Sequence, residues 1–369
     1  MNNVKKRREP LVRVSKRDVP VWWKSLIIRV VAIALALVVC AGLIVLVSDY
    51  NPIDVFKTMI DGNFKTERKV WNLLQNTAIL LCISLAVTPA FKMKYWNLGA
   101  EGQALIGALS TAACMISFGD KLPQAALIPI MLVVSIVSGM IWAVIPAIFK
   151  AKFNTNESLF TLMMNYVATQ LVLYCMTFWE NPKGSNTVGV INMSTEGGWL
   201  PALLDQKYLL NILIVTAITV IMYVYLKYSK HGYEISVVGE SENTARYIGI
   251  NVKKVIIRTV LVSGAVCGIT GFLLVSGTHH TITADTVGGQ GFTAIMVYWL
   301  AKFNAFIMAG VSFLITFLSR GAGEIATILR LNQSVAEIMT GIILFFIIGS
   351  EFFINYKVNF RSGKKEGKK

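Results

Sequence analysis

The sequence predicts an all-α, polytopic integral membrane protein, with about ten transmembrane helices and both termini cytoplasmic. Three observations carry that reading. Only 15% of the 369 residues are charged while 55% are hydrophobic, and the mean hydropathy is +0.60. A soluble domain would carry about 25% charged residues. The apolar residues come in long blocks, and a helix rising about 1.5 Å per residue needs about 20 of them to cross a ~30 Å hydrocarbon core. Finally, the excess positive charge gathers in a few segments.

The blocks place the spans in order. The first is 26–47, the second 73–91, and the third 95–118. The fourth is 125–149, the fifth 158–178, the sixth 208–226 and the seventh 255–275. An eighth at 292–300 is short, a ninth at 303–318 is nearly long enough, and a tenth at 335–353 is clear. The first block is too long for the h-region of a cleaved signal peptide. A single anchor with a soluble domain is excluded, because apolar blocks cover the whole length.

Charge orients these spans. Residues 1–29 carry +7, residues 356–369 carry +5, and residues 227–258 carry +3, which together account for the entire formal net charge of +15. Lys/Arg excess marks the cytoplasmic side, so both tails and the 227–258 loop are expected there. The segment 180–207, with no such excess, is expected outside. The organisation is then a basic N-terminal tail (1–25), a transmembrane domain (26–355) with a cytoplasmic loop at 227–254, and a basic C-terminal tail (356–369). Basic residues flanking spans read as membrane anchors, so membrane lipid is an expected partner and nucleic acid is not.

No catalytic apparatus is visible. The five cysteines, Cys40, Cys82, Cys114, Cys175 and Cys267, all fall in apolar spans without C-x-x-C spacing, so neither a disulfide framework nor a zinc site is suggested. His279 and His280 are adjacent with no acid cluster and read as a solvated loop. There is no phosphate loop, Ser/His/Asp set or dinucleotide turn. Neither catalytic nor metal-ligating residues are assigned, and the chain is not expected to be an enzyme.

Polar residues inside apolar spans are therefore the informative ones, since they tend to face a cavity or a partner. "NLGAEGQ" (97–103) sets Asn97, Glu101 and Gln103 beside Gly99 and Gly102. The glycines permit close helix approach or locally broken geometry, which lipid-facing backbone does not tolerate. Broken helices are a recurrent way to build transporter sites. The bland alternative pairs Glu101 with Lys92 or Lys94. "NESLFTLMMNY" (156–166) spaces Glu157, Thr161 and Asn165 four apart, along one helix face. That stripe faces either a water-filled path or a neighbouring helix as hydrogen-bond glue, and Glu157 also has Lys150 and Lys152 within reach.

A third stretch, "GYEISVVGESENTARYIGINVKKVI" (232–257), lies in the cytoplasmic loop. Ser241, Glu242 and Asn243 supply helix-start chemistry and Gly249 a stop. The helix between them, 243–248, presents Ala245, Tyr247 and Ile248. It is too short to be stable alone and suits a rigidly held element that docks in a groove; an ordinary connecting loop is the alternative.

Together the three stretches resemble the membrane subunit of ATP-binding-cassette importers, in the branch that handles nucleosides and simple sugars. Asn97–Gln103 matches the family's N-[IL]-G-x-E-G-Q, and Asn156–Tyr166 its N-E-x-x-x-T-L-M-x-N-Y. Gly239, Ala245, Arg246, Tyr247, Gly249 and Ile250 resemble its G-x-N-x-x-A-A-R-Y-x-G-I loop, with Ser241 for Asn and Thr244 for Ala. Downstream, Ala294 stands where a Gly is usual, and Tyr298 and Trp299 are bulkier than the family pattern. The resemblance covers nearly the whole chain beyond the basic N-terminal tail.

The resemblance implies a permease in the cell membrane that forms a translocation path for a nucleoside. ATP and Mg would be bound by a partner ATP-binding cassette subunit, with no cofactor on this chain. A second, different permease and an extracytoplasmic substrate-binding lipoprotein would complete the importer. Substrate-path candidates are Asn97, Glu101, Gln103, Glu157, Thr161 and Asn165; Gly239, Asn243, Ala245, Tyr247 and Gly249 would couple the spans to the ATPase. Residue types leave a simple sugar or another small polar metabolite as alternatives. A further alternative is a proton-coupled carrier using Glu101 or Glu157.

Overall fold

A computed structural model describes residues 12–16, 22–47, 50–328 and 332–360. Most basic residues of the two tails lie outside these. Among the described residues, eight helices are long and apolar enough to cross a membrane. The chain forms two compact units, residues 1–65 with 318–369, and residues 66–317.

The first unit contains α1 (Trp22–Val47), α2 (Pro52–Phe64), the end of α12 (Ala305–Ile328) and α13 (Gln333–Asn355). Helices α1 and α13 pack together, and Arg29 pairs with Glu351 at 3.3 Å. The amphipathic α2, absent from the sequence reading, starts with Asn51 accepting from the Ile53 amide and Pro52 at its first position, where a missing N–H costs nothing. Strands β1 (Val12–Lys16) and β2 (Tyr356–Phe360) pair antiparallel, so a two-stranded ribbon joins segments read as tails. These two strands are the only ones among the described residues.

The second unit holds α3 (Glu67–Lys92), α4 (Ala100–Phe118), α5 (Gln124–Phe153), α6 (Glu157–Trp179), α7 (Leu209–Tyr228), α8 (Lys230–Glu240), α9 (Glu242–Tyr247), α10 (Val252–Leu274) and α11 (Gln290–Ala301). Helix α10 continues through a π-helical turn at Val275–His279. It is the axis of the unit: its apolar window is 78% buried, against 22% for α5 and for α7. Helices α3, α4 and α5 surround it. The α5–α10 contact is made by backbone, since a Cβ on Gly268 would lie 2.2 Å from the Ser135 carbonyl oxygen. Small residues bring membrane helices this close and replace the hydrophobic drive that lipid removes.

The reading of ten spans is corrected in its third, eighth and ninth members. Helix α4 begins only at Ala100, after non-helical chain over 95–99. The eighth is α11, with 12 residues and hence about 18 Å of length, too short to cross. The ninth is α12, whose 24 residues suffice because the helix runs well past Leu318. Its Gly321 and Gly323 did not stop it, because tertiary packing outweighs a helix penalty of about 1 kcal/mol per glycine.

Candidate functional site

The centre of the second unit is built where α3 stops and α4 has not begun. The chain leaves α3 at Lys92, turns through Lys94 in the left-handed region (φ 60°), and re-enters the bundle through the fully buried Asn97. The Asn97 amide donates to Ser263 Oγ at 3.2 Å, midway along α10. Its Oδ1 accepts from the Gly99 N–H at 3.0 Å and from Gln103 Nε2 at 3.2 Å.

A buried helix start leaves several N–H groups without intrahelical partners, each costing about 1–3 kcal/mol if unpaired. Helix α6 supplies what is missing. Thr161 Oγ1 accepts from the Leu98 N–H at 3.1 Å, and Asn165 Oδ1 accepts from the Gly102 N–H at 2.9 Å. Asn165 Nδ2 donates to the Leu98 carbonyl at 2.8 Å. Thr161 and Asn165 are both buried, so the polar stripe faces the broken backbone. Gly102 admits this approach, because a Cβ there would lie 2.8 Å from Asn165 Oδ1.

Glu101 does not take the lysine partners of the alternative reading. Its carboxylate accepts from the Gly289 N–H at 2.8 Å and the Gly291 N–H at 2.7 Å, not from Lys92 or Lys94. These amides open the short helix α11. Glu101 also sits in the first turn of α4, so one carboxylate lies at the positive ends of two helices. Such placement is worth about 0.3–1 kcal/mol at a surface and up to ~2 kcal/mol when partly buried. The glycine turn at 288–291, unremarked in the sequence, is half of this arrangement.

Glu157 lies apart from the clamp. It pairs with Lys150 at 2.9 Å, tying the start of α6 to the end of α5. Of the six path candidates, Asn97, Glu101, Gln103, Thr161 and Asn165 are brought together, and Glu157 is not.

The coupling candidates form a second site at the same, lysine-rich end of the unit. Two short helices occupy this segment rather than one. Ser229 caps α8 by accepting from the Gly232 N–H, and Ser241 caps α9 by accepting from the Thr244 N–H. Gly249 stops α9 at φ +85°. Ala245 is fully buried and Tyr247 is 92% exposed, so α9 has an anchored face and a presented one; Asn243 is exposed beside it. Beneath them Ala245, Ile235, Val238 and Val255 share one apolar core with Met93 and Tyr95. The Gly239 backbone lies against the Lys92 carbonyl, and Arg258 pairs with Glu234 to join α10 to α8. The core therefore runs from α9 to the residues that lead into Asn97.

At the opposite end His279 closes the π-helical turn and is exposed, as a solvated residue would be, whereas His280 is half-buried. The His280 ring stacks on Trp199 with centroids 3.9 Å apart, and its backbone carbonyl accepts from the Ile191 N–H at 2.8 Å. Burial, with Lys207 nearby, lowers the imidazole to about 4. Also missed were Gln75, which donates to Thr278 Oγ1 at 2.7 Å, and the buried Asn211. Polar residues inside the second and sixth apolar blocks were the available signal. Among the described residues, no group of three or more His, Cys, Asp or Glu is placed to hold a metal, and all five cysteines are free thiols.

Comparison with known proteins fits this arrangement. Residues 70–348 match the family described as branched-chain amino acid transport system / permease component. The chain is 28% identical to the glucose ABC transporter permease protein TsgB13 of Haloferax volcanii, over 93% of this chain and 92% of that one. It is 29% identical to the guanosine ABC transporter permease protein NupP of Bacillus subtilis, over 93% and 97%. It is 26% identical to the nucleoside ABC transporter permease protein NupB of Lactococcus lactis, over 88% and 91%. No solved structure matches. The chain belongs to this permease family: it is a multi-pass cell-membrane component of an ABC importer, a transport component that works with an ATP-binding subunit and a substrate-binding partner.

Proposed function

We propose, from membership in that family, that this chain forms part of the path by which an ATP-driven importer carries a nucleoside. ATP and Mg are held and used by the partner subunit. A second, different permease completes the path, and an extracytoplasmic lipoprotein delivers the substrate. The observation that carries the coupling is the buried core shared by α8, α9, α10 and the end of α3. Exposed Tyr247 and Ile248 offer the ATP-binding subunit a docking edge, and Gly239, Asn243, Ala245 and Gly249 set its shape. Motion of α9 then reaches Met93 and Tyr95, and through them the α3–α4 break. ATP binding biases two states of a rocking bundle by binding one of them more tightly.

Asn97, Gln103, Thr161 and Asn165 hold the break, and Glu101 holds the starts of α4 and α11 together; these two half-buried helix starts form the wall of the path. The guanosine and nucleoside relatives support a nucleoside, and the glucose relative supports a sugar as the second reading. A proton-coupled carrier is disfavoured: Glu101 is engaged by two backbone amides and Glu157 by Lys150.

Reconstitution in proteoliposomes with the ATP-binding subunit, the second permease and the substrate-binding lipoprotein tests this. Labelled guanosine uptake should stop on ATP depletion with the proton gradient held constant. Uptake that persists on the gradient alone would overturn the ATP-driven reading, and competition by glucose but not guanosine would install the sugar. Alanine at both Glu101 and Asn165 should abolish uptake; unchanged uptake would remove them from the path.

A further inference from the structure

The chain between the π-helical turn and α11 enters the bundle without forming a helix. It leaves the span Val252–His279 at His280, whose carbonyl accepts from the Ile191 N–H. By Gly289 it has reached the Glu101 carboxylate, at 2.8 Å. Glu101 lies in the first turn of α4, just after Asn97, which is bonded to Ser263 midway along that same span. Ser263 and His279 are 16 residues apart, a rise of about 24 Å. Residues 281–289 therefore descend from the end of a spanning helix to about its mid-depth.

Irregular backbone at that depth occurs only where protein buries it or where it lines a water-filled cavity. This segment has one side of each kind. Ile282 and Val287 are fully buried, which fixes the segment to the bundle. Asp285, Gly288 and Gly289 are exposed. Thr286 shapes the turn: its Oγ1 accepts from the Thr283 N–H at 2.8 Å and donates to the Thr283 carbonyl at 2.9 Å, which leaves Asp285 at the tip. Among the described residues Asp285 makes no hydrogen bond through its carboxylate and no ion pair. The acid that bears on it electrostatically is Glu101, which offers no counter-charge and is itself occupied by two backbone amides. A carboxylate at this depth is too costly to face lipid. Asp285 therefore faces water.

We propose that residues 281–289 line the translocation path and that the Asp285 carboxylate there accepts hydrogen bonds from the hydroxyls of a neutral, polyhydroxylated substrate. An ionised carboxylate only accepts, through two oxygens, so it suits vicinal hydroxyls, which bring two donors together. Such charge-assisted bonds are about twice as strong as neutral ones. The same charge turns phosphorylated and carboxylated solutes away. The side-chain oxygen of Gln290, buried and without a hydrogen-bond partner among the described residues, is a second acceptor at the foot of the segment. The proposal rests on reading this chain as part of an importer's path, and it holds for the ribose of a nucleoside and for a sugar alike.

The test uses the complete importer in proteoliposomes, with Cys175→Ser in this chain so that only buried native thiols remain in it. Asp285→Cys should react with a charged, membrane-impermeant methanethiosulfonate, and excess guanosine or glucose, whichever is carried, should slow that reaction. Val287→Cys, buried in the same segment, and Val220→Cys, exposed on the spanning helix α7, should not react. Asp285→Asn should raise the KM for the carried substrate about tenfold with little change in kcat, as loss of one charge-assisted bond predicts, and should relax the exclusion of its phosphate ester. Equal reactivity at Val220→Cys and Asp285→Cys, or an unreactive Asp285→Cys in an importer that transports, would overturn the proposal. Should Asp285→Cys fail to insert, an unchanged KM in Asp285→Asn would overturn it equally. Wild-type uptake that runs without ATP would instead count against the importer reading, with the labelling result left standing.

Discussion

The clamp around Asn97 and the coupling segment around Tyr247 invert one another. In the clamp, amides and a carboxylate are buried and engage backbone from a neighbouring helix: Asn165 serves Leu98 and Gly102, and Glu101 serves Gly289 and Gly291. In the coupling segment, apolar side chains stand in the open, with Tyr247 at 92% and Ile248 at 51% exposure, over a packed underside. A buried polar group holds only one arrangement when every partner is present. An exposed apolar edge gains by being covered. The difference teaches that the first region is made to stay and the second is made to be met, and each part of that comparison can be broken separately.

The largest effect is expected from Gly102→Val. Even a Cβ there would lie 2.8 Å from Asn165 Oδ1 and 3.0 Å from its Cα, and valine adds two more carbons. The clamp must separate, with overpacking of about 1–3 kcal/mol added to unpaired amides at about 1–3 kcal/mol each. Uptake should be lost and the melting temperature in detergent should fall steeply. Next comes Asn165→Leu, which keeps the branched shape and removes the side-chain partner of Leu98 O and of Gly102 N. The expected loss is about 2–4 kcal/mol, read by thermal melting. A melting temperature unchanged by this variant would mean that the clamp is incidental to stability.

Much of this was legible from residue types. The spacing of Thr161 and Asn165 put both on one face, and glycine beside amide residues in an apolar block signalled broken backbone. The caps of α9 followed from Ser241 and Gly249. What the sequence left out depends on three-dimensional pairing. Nothing local says that Glu101 answers amides 188 and 190 residues away rather than a lysine in its own segment. The 12-residue α11 read as a doubtful span because apolarity records burial without distinguishing lipid from protein. Helix α8 was hidden by its modest apolar content, and it is held by the core under it rather than by propensity.

Tyr247→Ala addresses the other side of the comparison and should scarcely change stability. The side chain is almost wholly exposed, and such substitutions stay within about 0.5 kcal/mol. Uptake should fall while the subunit inserts normally, and ATP hydrolysis should continue without transport. Normal uptake in that variant would mean that the presented edge is not the docking element.

The smallest effect concerns a half-buried ring that lacks the clamp's full set of partners. Among the described residues His280 Nδ1 has no hydrogen-bond partner, its ring is stacked on Trp199, and burial lowers its pKa from 6.5 to about 4. Between those values the unfolded chain binds the proton that the folded chain refuses, so stability rises with pH across the window. The contribution is complete above about 6.5 and is lost progressively as pH falls toward 4. Acidification should therefore loosen this end of the bundle and leave the clamp untouched, and Trp199 fluorescence can follow the change. His280→Phe keeps a flat ring on the indole and removes the titration, so its pH profile should be flatter over this window. If wild type and His280→Phe respond identically to acid, the stack is not the acid-sensitive element, and the contrast between fully and partly satisfied burial loses its third case.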